Sequence, residues 1–342
     1  MNNEFPLVCI CIPTYNAATT IMETLQSILA QTYPNLVIHV SDNASTDETL
    51  KLIETFSDPR IIIYRNDVNV GGEGNFNRCI EQAVGKYTAI FHADDIYEPD
   101  MVAKQVSFLE SHPEAGAVFT EASLIDETGQ KFGEICIPKD ITSECGQYNF
   151  AAIFKAVLRH SNFFICPSVM VRTQVYQLEI KCWRGEIFKS SADLDLWLRI
   201  LQNHPIGYLA ERLMRYRISE NQFSSRVRMG TERADFFLVI DHYLAQESVR
   251  ALLNAADLNN YMWLDRRDRV MRATNLFITG SPRQANELLH DVFSLDALMA
   301  ALKSKRGAFV LLIGLYVKLL TSLRLYRVGK VSLAYMKQVT RK

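Results

Sequence analysis

The sequence predicts an α/β protein in which a mostly parallel sheet carries helices on both faces, followed by a helical C-terminal region. Two observations support this prediction. Strand-like apolar runs alternate with helix-like stretches over residues 7–120, and such β-α-β-α alternation is typical of parallel sheets. From about Met229 the pattern is helical to the end of the chain. We therefore expect a domain over residues 1–225 and a helical region over residues 226–342.

The expected elements follow in chain order. Asn16 is the expected N-cap of the first helix, and Ser45 or Thr46 that of the second. Later helices are expected at 75–83 and from Pro99 to about residue 111. A further helix, "SADLDLWLRIL", has an acidic first turn. The expected strands are "LVCICI", "LVIHVSD", "IIIY", "YTAIF" and "AGAVF", with one or two more in "SNFFICPSVMVR".

Composition excludes several classes of protein. Of the 342 residues, 48% are hydrophobic and 22% charged, which is ordinary for a globular chain. The net charge of −1 gives no basic field for nucleic acid. The seven cysteines form no C-x-x-C pair, which favours reduced, mostly buried thiols in a cytoplasmic protein. The N-terminal run "LVCICI" is too short for a signal peptide.

Polar residues stand where three expected strands end. Asp42 ends "LVIHVSD", Asp94 and Asp95 follow "YTAIF", and Tyr15 lies in the turn "PTYN" after the first strand. Ligands of parallel sheets bind at this edge. Two carboxylates there suit Mg²⁺ or Mn²⁺, Asp42 can accept hydrogen bonds from a nucleobase or ribose, and Tyr15 can stack on a base. Taken singly, such acids are more often solvated turn formers.

The motifs together resemble the family 2 glycosyltransferases of the GT-A fold. The resemblance covers roughly residues 6–225 and rests on the order of several weak motifs. In chain order they are "PTYNA" (13–17), "SDNASTDET" (41–49), "NVGGEGNFN" (69–77) with "GKY" (85–87), "HADD" (92–95), "SADLDLWLR" (191–199) and "YRISENQFS" (216–224).

The resemblance implies a function for each matching residue. Asp94 would bind a divalent cation, Mn²⁺ or Mg²⁺, that bridges the diphosphate of a nucleotide-sugar, and Asp193 would be the catalytic base. Residues 1–120 would form the nucleotide-sugar half of the domain and residues 121–225 the acceptor half. The residues expected on the nucleotide-sugar are Pro13, Tyr15, Asp42, Asn77, His92 and Asp95, the last also shaping the turn.

The sequence departs from the family pattern at three positions. His92 stands where the first acid of D-x-D-D is expected, and it can donate to ribose or phosphate or be purely structural. Ser219 replaces a histidine, and Ala192 replaces the glutamate before the base. Asp195 lies two residues from Asp193 and faces another way on the helix, so we interpret it as a helix-start acid.

The resemblance predicts an inverting, metal-dependent glycosyltransferase that moves a sugar to a hydroxyl of a glycan or lipid-linked acceptor, as in bacterial surface-polysaccharide synthesis. One alternative is a sugar-phosphate nucleotidyltransferase. Such an enzyme would require a glycine-rich basic loop after the first strand, where this chain has "PTYNAATT", with neither glycine nor a cation. The other is an inactive nucleotide-sugar-binding module. Retention of both Asp94 and Asp193 argues against it.

The C-terminal segment is basic and apolar. After Asp296 the chain has ten Lys or Arg residues and no acid, and residues 307–326 are apolar for eleven residues before Lys318. That run is too short for a membrane-spanning helix. It predicts either an interfacial helix on an anionic bilayer, at the inner face of the plasma membrane, or a buried helix in a C-terminal bundle.

Overall fold

The computed structural model divides the chain into two compact units, Met1–Ser219 and Glu220–Lys342. The division expected after residue 225 falls within 220–229, which lies outside the described residues. The structure describes residues 5–141, 143, 146–219, 230–294 and 305–339.

A ten-stranded sheet organises the first unit, in the order β3-β2-β1-β4-β9-β6-β10-β5, with β7 beside β6 and β8 beside β10. Six strands run in one direction, β1, β2, β3, β4, β6 and β10, and the other four run against them, β5, β7, β8 and β9. The strands are β1 Val8–Thr14, β2 Leu36–Asp42, β3 Ile61–Arg65, β4 Tyr87–Ile90, β5 Ile96–Tyr97, β6 Ala117–Ile125, β7 Lys131–Ile135, β8 Gln147–Tyr148, β9 Met170–Arg172 and β10 Ile206–Arg217.

Helices complete both units, and the expected α/β class with a helical C-terminal region is confirmed. In the first unit they are α1 Ile21–Leu29, α2 Thr49–Glu54, α3 Gly71–Gln82, α4 Met101–Ser111, α5 Phe150–His160, α6 Gly185–Phe188 and α7 Ala192–Asn203. In the second they are α8 Phe236–Leu244, α9 Glu247–Arg250, α10 Ala255–Ile278, α11 Pro282–Leu288, α12 Lys305–Ser322 and α13 Tyr326–Val339.

The expected caps of the first two helices were wrong. The N-cap of α1 is Thr20 and that of α2 is Glu48. Asn16 has a positive φ of 48° and accepts a hydrogen bond from the Thr46 N–H at 2.8 Å, so it joins two loops instead. Asn and Ser compete for backbone groups in turns as well as at helix starts, and local sequence does not separate these uses.

Strand β10 was not predicted from the sequence. Its alternation is broken because the ladder to β6 slips between Leu209 and Arg212 and again before Met214. Residues 210–212 are exposed, whereas Leu213 is buried. A bulge of this kind adds residues to one strand and destroys the period of two on which prediction depends.

The core of the first unit fills the space beneath the central strands. Val8, Ile10 and Ile12 of β1 are fully buried in it.

Pro13 is tolerated inside a central strand because the pairing of β1 with β4 ends at Cys11, so its missing N–H leaves no ladder bond unmade. The six described cysteines are free thiols, and Cys136 and Cys182 are exposed.

Candidate active site

The turn His92–Asp95 follows β4 and is held by two elements, α1 and β10. Thr24 of α1 donates to the carbonyls of Ala93 at 3.1 Å and Asp95 at 2.8 Å. Arg217, at the end of β10, donates from Nε to the Asp94 carbonyl at 2.9 Å. The backbone of the turn is therefore fixed by α1 and β10, just after the carboxyl end of β4.

Three possible metal ligands converge in this turn. A ring nitrogen of His92 and carboxylate oxygens of Asp94 and Asp95 lie within 4.8 Å of one another. Two carboxylates match the oxygen preference of Mg²⁺ and Mn²⁺, and the imidazole adds a nitrogen donor. The donor set therefore fits a divalent cation. His92 thus lies among possible ligands, although the sequence had suggested a ribose or phosphate contact.

Asp95 has the structural surroundings of a turn former. Its side chain is fully buried, and Oδ1 accepts the Arg217 N–H at 2.8 Å. Burial, and then the charge of Asp94, raise its pKa well above the usual range. Its Oδ2 has no hydrogen-bond partner within the described residues and lies 3.9 Å from His92 Nδ1. An adjacent cation would favour the ionised form of this carboxyl.

Asp42 ends β2 with its side chain fully buried beside the loop that follows β1. Its Oδ2 accepts the Ser45 N–H at 3.2 Å and lies 3.9 Å from Arg65 Nε. Its Oδ1 has no hydrogen-bond partner among the described residues. Asp42 is paired with Thr14, the residue before Tyr15, whose ring is 49% exposed. The Asp42 carboxylate can accept hydrogen bonds from the N–H groups of a nucleobase, and the exposed Tyr15 ring can stack on the same base.

A buried amide network, which sequence reasoning missed, joins the end of β2 to the start of α3. Asn75 accepts from the Ser41 hydroxyl at 2.7 Å and donates to the Ser41 carbonyl at 2.8 Å. Asn66 donates to Asn43 at 3.0 Å and accepts from Arg78 at 2.6 Å. The only signal in the sequence was the density of Asn around the "NVGGEGNFN" segment.

Asn77 lies against a loop of the expected acceptor half. Its Oδ1 accepts the Trp183 N–H at 2.7 Å, and Glu73 on the same helix accepts the Gly185 N–H at 2.8 Å. The Trp183 ring packs 4.7 Å from Phe76, which meets the His92 ring edge-on at 5.6 Å. Helix α3 thus positions the Trp183 loop next to the His92–Asp95 turn.

Asp193 lies in the first turn of α7 and is only partly exposed. One carboxylate oxygen accepts the Leu194 N–H at 2.7 Å, and the other is 3.5 Å from the Asn162 amide. Burial raises its pKa to about 6. A carboxyl with such a pKa is ionised at neutral pH and is a stronger base than an ordinary aspartate.

Asp195 is a structural anchor and not simply a helix-start acid. Its fully buried carboxylate accepts from Arg184 Nε at 2.9 Å and from Arg199 Nε at 3.0 Å. Arg199 also donates to the carbonyls of Ile180 and Cys182, at 2.8 and 2.7 Å. The triad therefore fastens the loop before α6 to α7.

We expect Asp195→Asn to destabilise the protein by about 3–5 kcal/mol, because it removes one charge of a buried cluster and leaves two arginines uncompensated. Urea unfolding measures the loss. As a control, Asp140→Asn removes the acid that pairs with Arg159 at a site 41% exposed, and should cost no more than roughly 1 kcal/mol. Equal small losses in both variants would contradict the structural role of Asp195.

The acids of both halves surround the same two side chains. Burial, followed by the charges of Asp95, Asp94 and Asp193, raises the pKa of Tyr216. Burial together with Asp193 and Asp95 raises that of the Cys166 thiol. Asp193 is 98 positions from Asp95 in the sequence, yet the fold brings Asp193 and Asp95 within electrostatic range of both Tyr216 and Cys166.

This sheet, with acids at its carboxyl edge and a partly buried carboxylate opposite, is the architecture of a GT-A glycosyltransferase. The family model described as "Glycosyl transferase family 2" matches residues 9–176. MJ1057 of Methanocaldococcus jannaschii, called an uncharacterized glycosyltransferase, is 30% identical over 65% of this chain and 75% of its own. The glucosyltransferase WfaP of Escherichia coli is 27% identical over 66% and 84%. The chain belongs to glycosyl transferase family 2.

Solved structures agree on the fold. The S. aureus TarS fragment 1-349 in complex with UDP-GlcNAc superposes with a TM-score of 0.60 at 16% identity, covering 96% of this chain and 92% of that one. The mannosyltransferase PcManGT from Pyrobaculum calidifontis, in complex with GDP-Man and Mn²⁺, gives 0.53 at 19% identity over 97% and 85%.

Proposed function

We propose that this glycosyltransferase is inverting and metal-dependent, and that it moves a sugar from a nucleotide-sugar to a hydroxyl of a glycan or lipid-linked acceptor. The observation that carries the proposal is that Asp94, Asp95 and Asp193 all lie close enough to Tyr216 for their charges to raise its pKa. A metal site and a base of raised pKa next to each other are what displacement at a sugar carbon requires.

In this proposal Asp193 takes the proton of the acceptor hydroxyl. The acceptor oxygen attacks the anomeric carbon from the face opposite the nucleoside diphosphate. As the new carbon–oxygen bond forms, the bond to the diphosphate oxygen breaks, so the configuration inverts. The Asn162 amide and the Leu194 N–H orient the carboxylate. Ala192, in place of the family's glutamate, leaves Asp193 without an acidic neighbour at that position.

The donor would lie across the carboxyl edge of the sheet. Asp42 would accept hydrogen bonds from the base, Tyr15 would cover its face, and Pro13 would shape the strand end beneath. Asp94, with His92 beside it, would hold Mn²⁺ or Mg²⁺. A divalent cation there supplies positive charge that stabilises the leaving diphosphate. Asn77 would contribute indirectly, by holding the Trp183 loop near the donor.

The relatives support the choice of substrate class. WfaP is named as a transferase of glucose from UDP-Glc to GlcNAc-diphosphoundecaprenol, a lipid-linked acceptor. TuaG of Bacillus subtilis is named for teichuronic acid biosynthesis. We therefore propose a role in cell-surface polysaccharide synthesis, in the cytoplasm at the inner face of the plasma membrane, where donor and lipid-linked acceptor can meet.

A panel of nucleotide-sugars tests the proposal. The protein should release a nucleoside diphosphate from at least one of UDP-Glc, UDP-GlcNAc and GDP-Man when Mn²⁺ or Mg²⁺ is present, and NMR of any transfer product should show the inverted anomer. Release of pyrophosphate from a nucleoside triphosphate and a sugar phosphate would instead identify a nucleotidyltransferase. Tight donor binding without turnover, on every acceptor offered, would identify an inactive binding module.

A further inference from the structure

Helix α12 is apolar on two sides, and the described residues of the chain cover one of them. Its inner side chains belong to the buried core of the second unit, among them Val310, Ile313, Val317 and Leu320. Its outer side chains form a row of leucines at intervals of three or four residues, which places them on one stripe of the helix. They are Leu312, Leu315, Leu319 and, just past the helix end, Leu323, exposed by 62, 51, 54 and 57%.

Apolar side chains are also exposed in the chain that follows α12 and along α13. Leu325, between the two helices, and Tyr326, at the start of α13, are each 43% exposed, and Val328, Val331 and Tyr335 of α13 are exposed by 60, 72 and 67%. We call these five residues and the four leucines of the α12 row the outer face. Single exposed apolar residues are normal on a protein surface. Nine of them close together in the sequence, on two consecutive helices, indicate an interaction surface.

The outer face carries three exposed cations and no acid of its own segment. Arg324, Arg327 and Lys330 are exposed within it, and the sequence holds no acid after Asp296. Cations at the rim of an apolar helix surface are the pattern of helices that lie in the headgroup region of an anionic bilayer. No helix in the described part of the chain has the length and apolarity needed to cross a membrane.

We propose that the outer face docks the protein on the surface of an anionic lipid bilayer. The leucine row and the α13 residues enter the boundary between headgroups and acyl chains, while Arg324, Arg327 and Lys330 contact lipid phosphates. This inference gives a residue basis to the membrane location in the proposed function. It does not depend on that function, because plain lipid vesicles hold neither donor nor acceptor.

Charge argues against the other obvious occupant, a second copy of the chain. Two outer faces packed together would bring six cations into one interface, three from each copy. With no acid in this part of the sequence to pair with them, like charges would be juxtaposed in an apolar contact, which is costly. An anionic bilayer neutralises the same charges.

Flotation of the full chain with vesicles tests the proposal. The protein should bind vesicles of phosphatidylcholine with phosphatidylglycerol, bind pure phosphatidylcholine much less, and dissociate as salt is raised. Leu315→Glu/Leu319→Glu should weaken binding at least about tenfold, since it places charge in the leucine row that enters the bilayer in this proposal. Arg327→Gln/Lys330→Gln, a second variant that leaves the helix packing untouched, should weaken it roughly tenfold or more and flatten the salt dependence.

The control is Leu178→Glu, an equivalent change at a leucine that is 62% exposed in the first unit. It should bind vesicles like the wild type, and all variants should keep wild-type donor hydrolysis and thermal unfolding. Wild-type vesicle binding by both double variants would overturn the proposal. So would a lipid-free dimer that Leu315→Glu/Leu319→Glu dissociates, combined with no vesicle binding by the wild type, because the face would then belong to a second copy.

Discussion

Asp193→Asn is expected to lower turnover by at least about a hundredfold while nucleotide and metal binding stay within a few-fold. The amide has the same shape but cannot accept the proton of the acceptor hydroxyl. Transfer kinetics with the donor found in the panel give turnover, and titration calorimetry with the nucleoside diphosphate gives binding. Because the change is isosteric and Asp193 is a single carboxylate outside the Arg184–Asp195–Arg199 cluster, the fold should be unaffected.

The pKa of Asp193 adds an independent readout. Burial raises it to about 6, so the base is protonated below that pH, and kcat/KM of the wild type should fall about tenfold per pH unit there. Since the folded protein holds this proton more tightly than the unfolded chain, stability falls as the pH rises from 3.8, the ordinary pKa of aspartate, to about 6, and the full loss remains at higher pH. Asp193→Asn should therefore unfold at no lower temperature than the wild type at pH 8.

Two results would contradict the assignment of the base. One is Asp193→Asn with turnover near that of the wild type. The other is a wild-type pH profile that stays flat between pH 5 and pH 8, which would place the essential base elsewhere. Asn162→Ala offers an intermediate case. It removes the amide 3.5 Å from the carboxylate and should shift the pH profile upwards without abolishing turnover.

Asp94→Asn should nearly abolish turnover with Mn²⁺ or Mg²⁺ present. A neutral amide is a much weaker ligand for a hard cation than a carboxylate, and without the cation the charge on the leaving diphosphate is not stabilised. A chelator should lower the turnover of the wild type to the same extent. The backbone of the turn is held by Thr24 and Arg217, so the variant should remain folded.

His92→Asp is the matched comparison, because it restores the acid that the family pattern has at this position. If His92 binds the cation, the variant should favour Mg²⁺ over Mn²⁺ more than the wild type does, since exchange of nitrogen for oxygen favours the harder ion. Direct metal titration of the chain shows this without turnover. Full activity of the wild type in excess chelator would refute the metal assignment to Asp94.

The motifs of the sequence singled out Asp94 and Asp193 as candidate site residues, and these assignments stay predictions. The sequence did not indicate the contacts that the structure gives the residues around them. The structural role of Asp195 could not be predicted from the sequence. Arg199 is its neighbour on the helix, but Arg184 lies in a loop, and no local pattern shows that this loop packs against the helix. Asn77 and the amide network of Asn43, Asn66 and Asn75 depend on contacts between loops, which leave no period in a sequence.

By itself, the sequence determined the α/β class, five strands of the sheet, the carboxyl edge where the acids stand, and the basic apolar C-terminus. These follow from periodicity and strand order, which are local properties of the chain. Only the tertiary structure decided which acids are buried, which arginines hold them, and that leucines of α12 face outward. Burial and pairing are set by segments far apart in sequence, and no local pattern records which segments will meet.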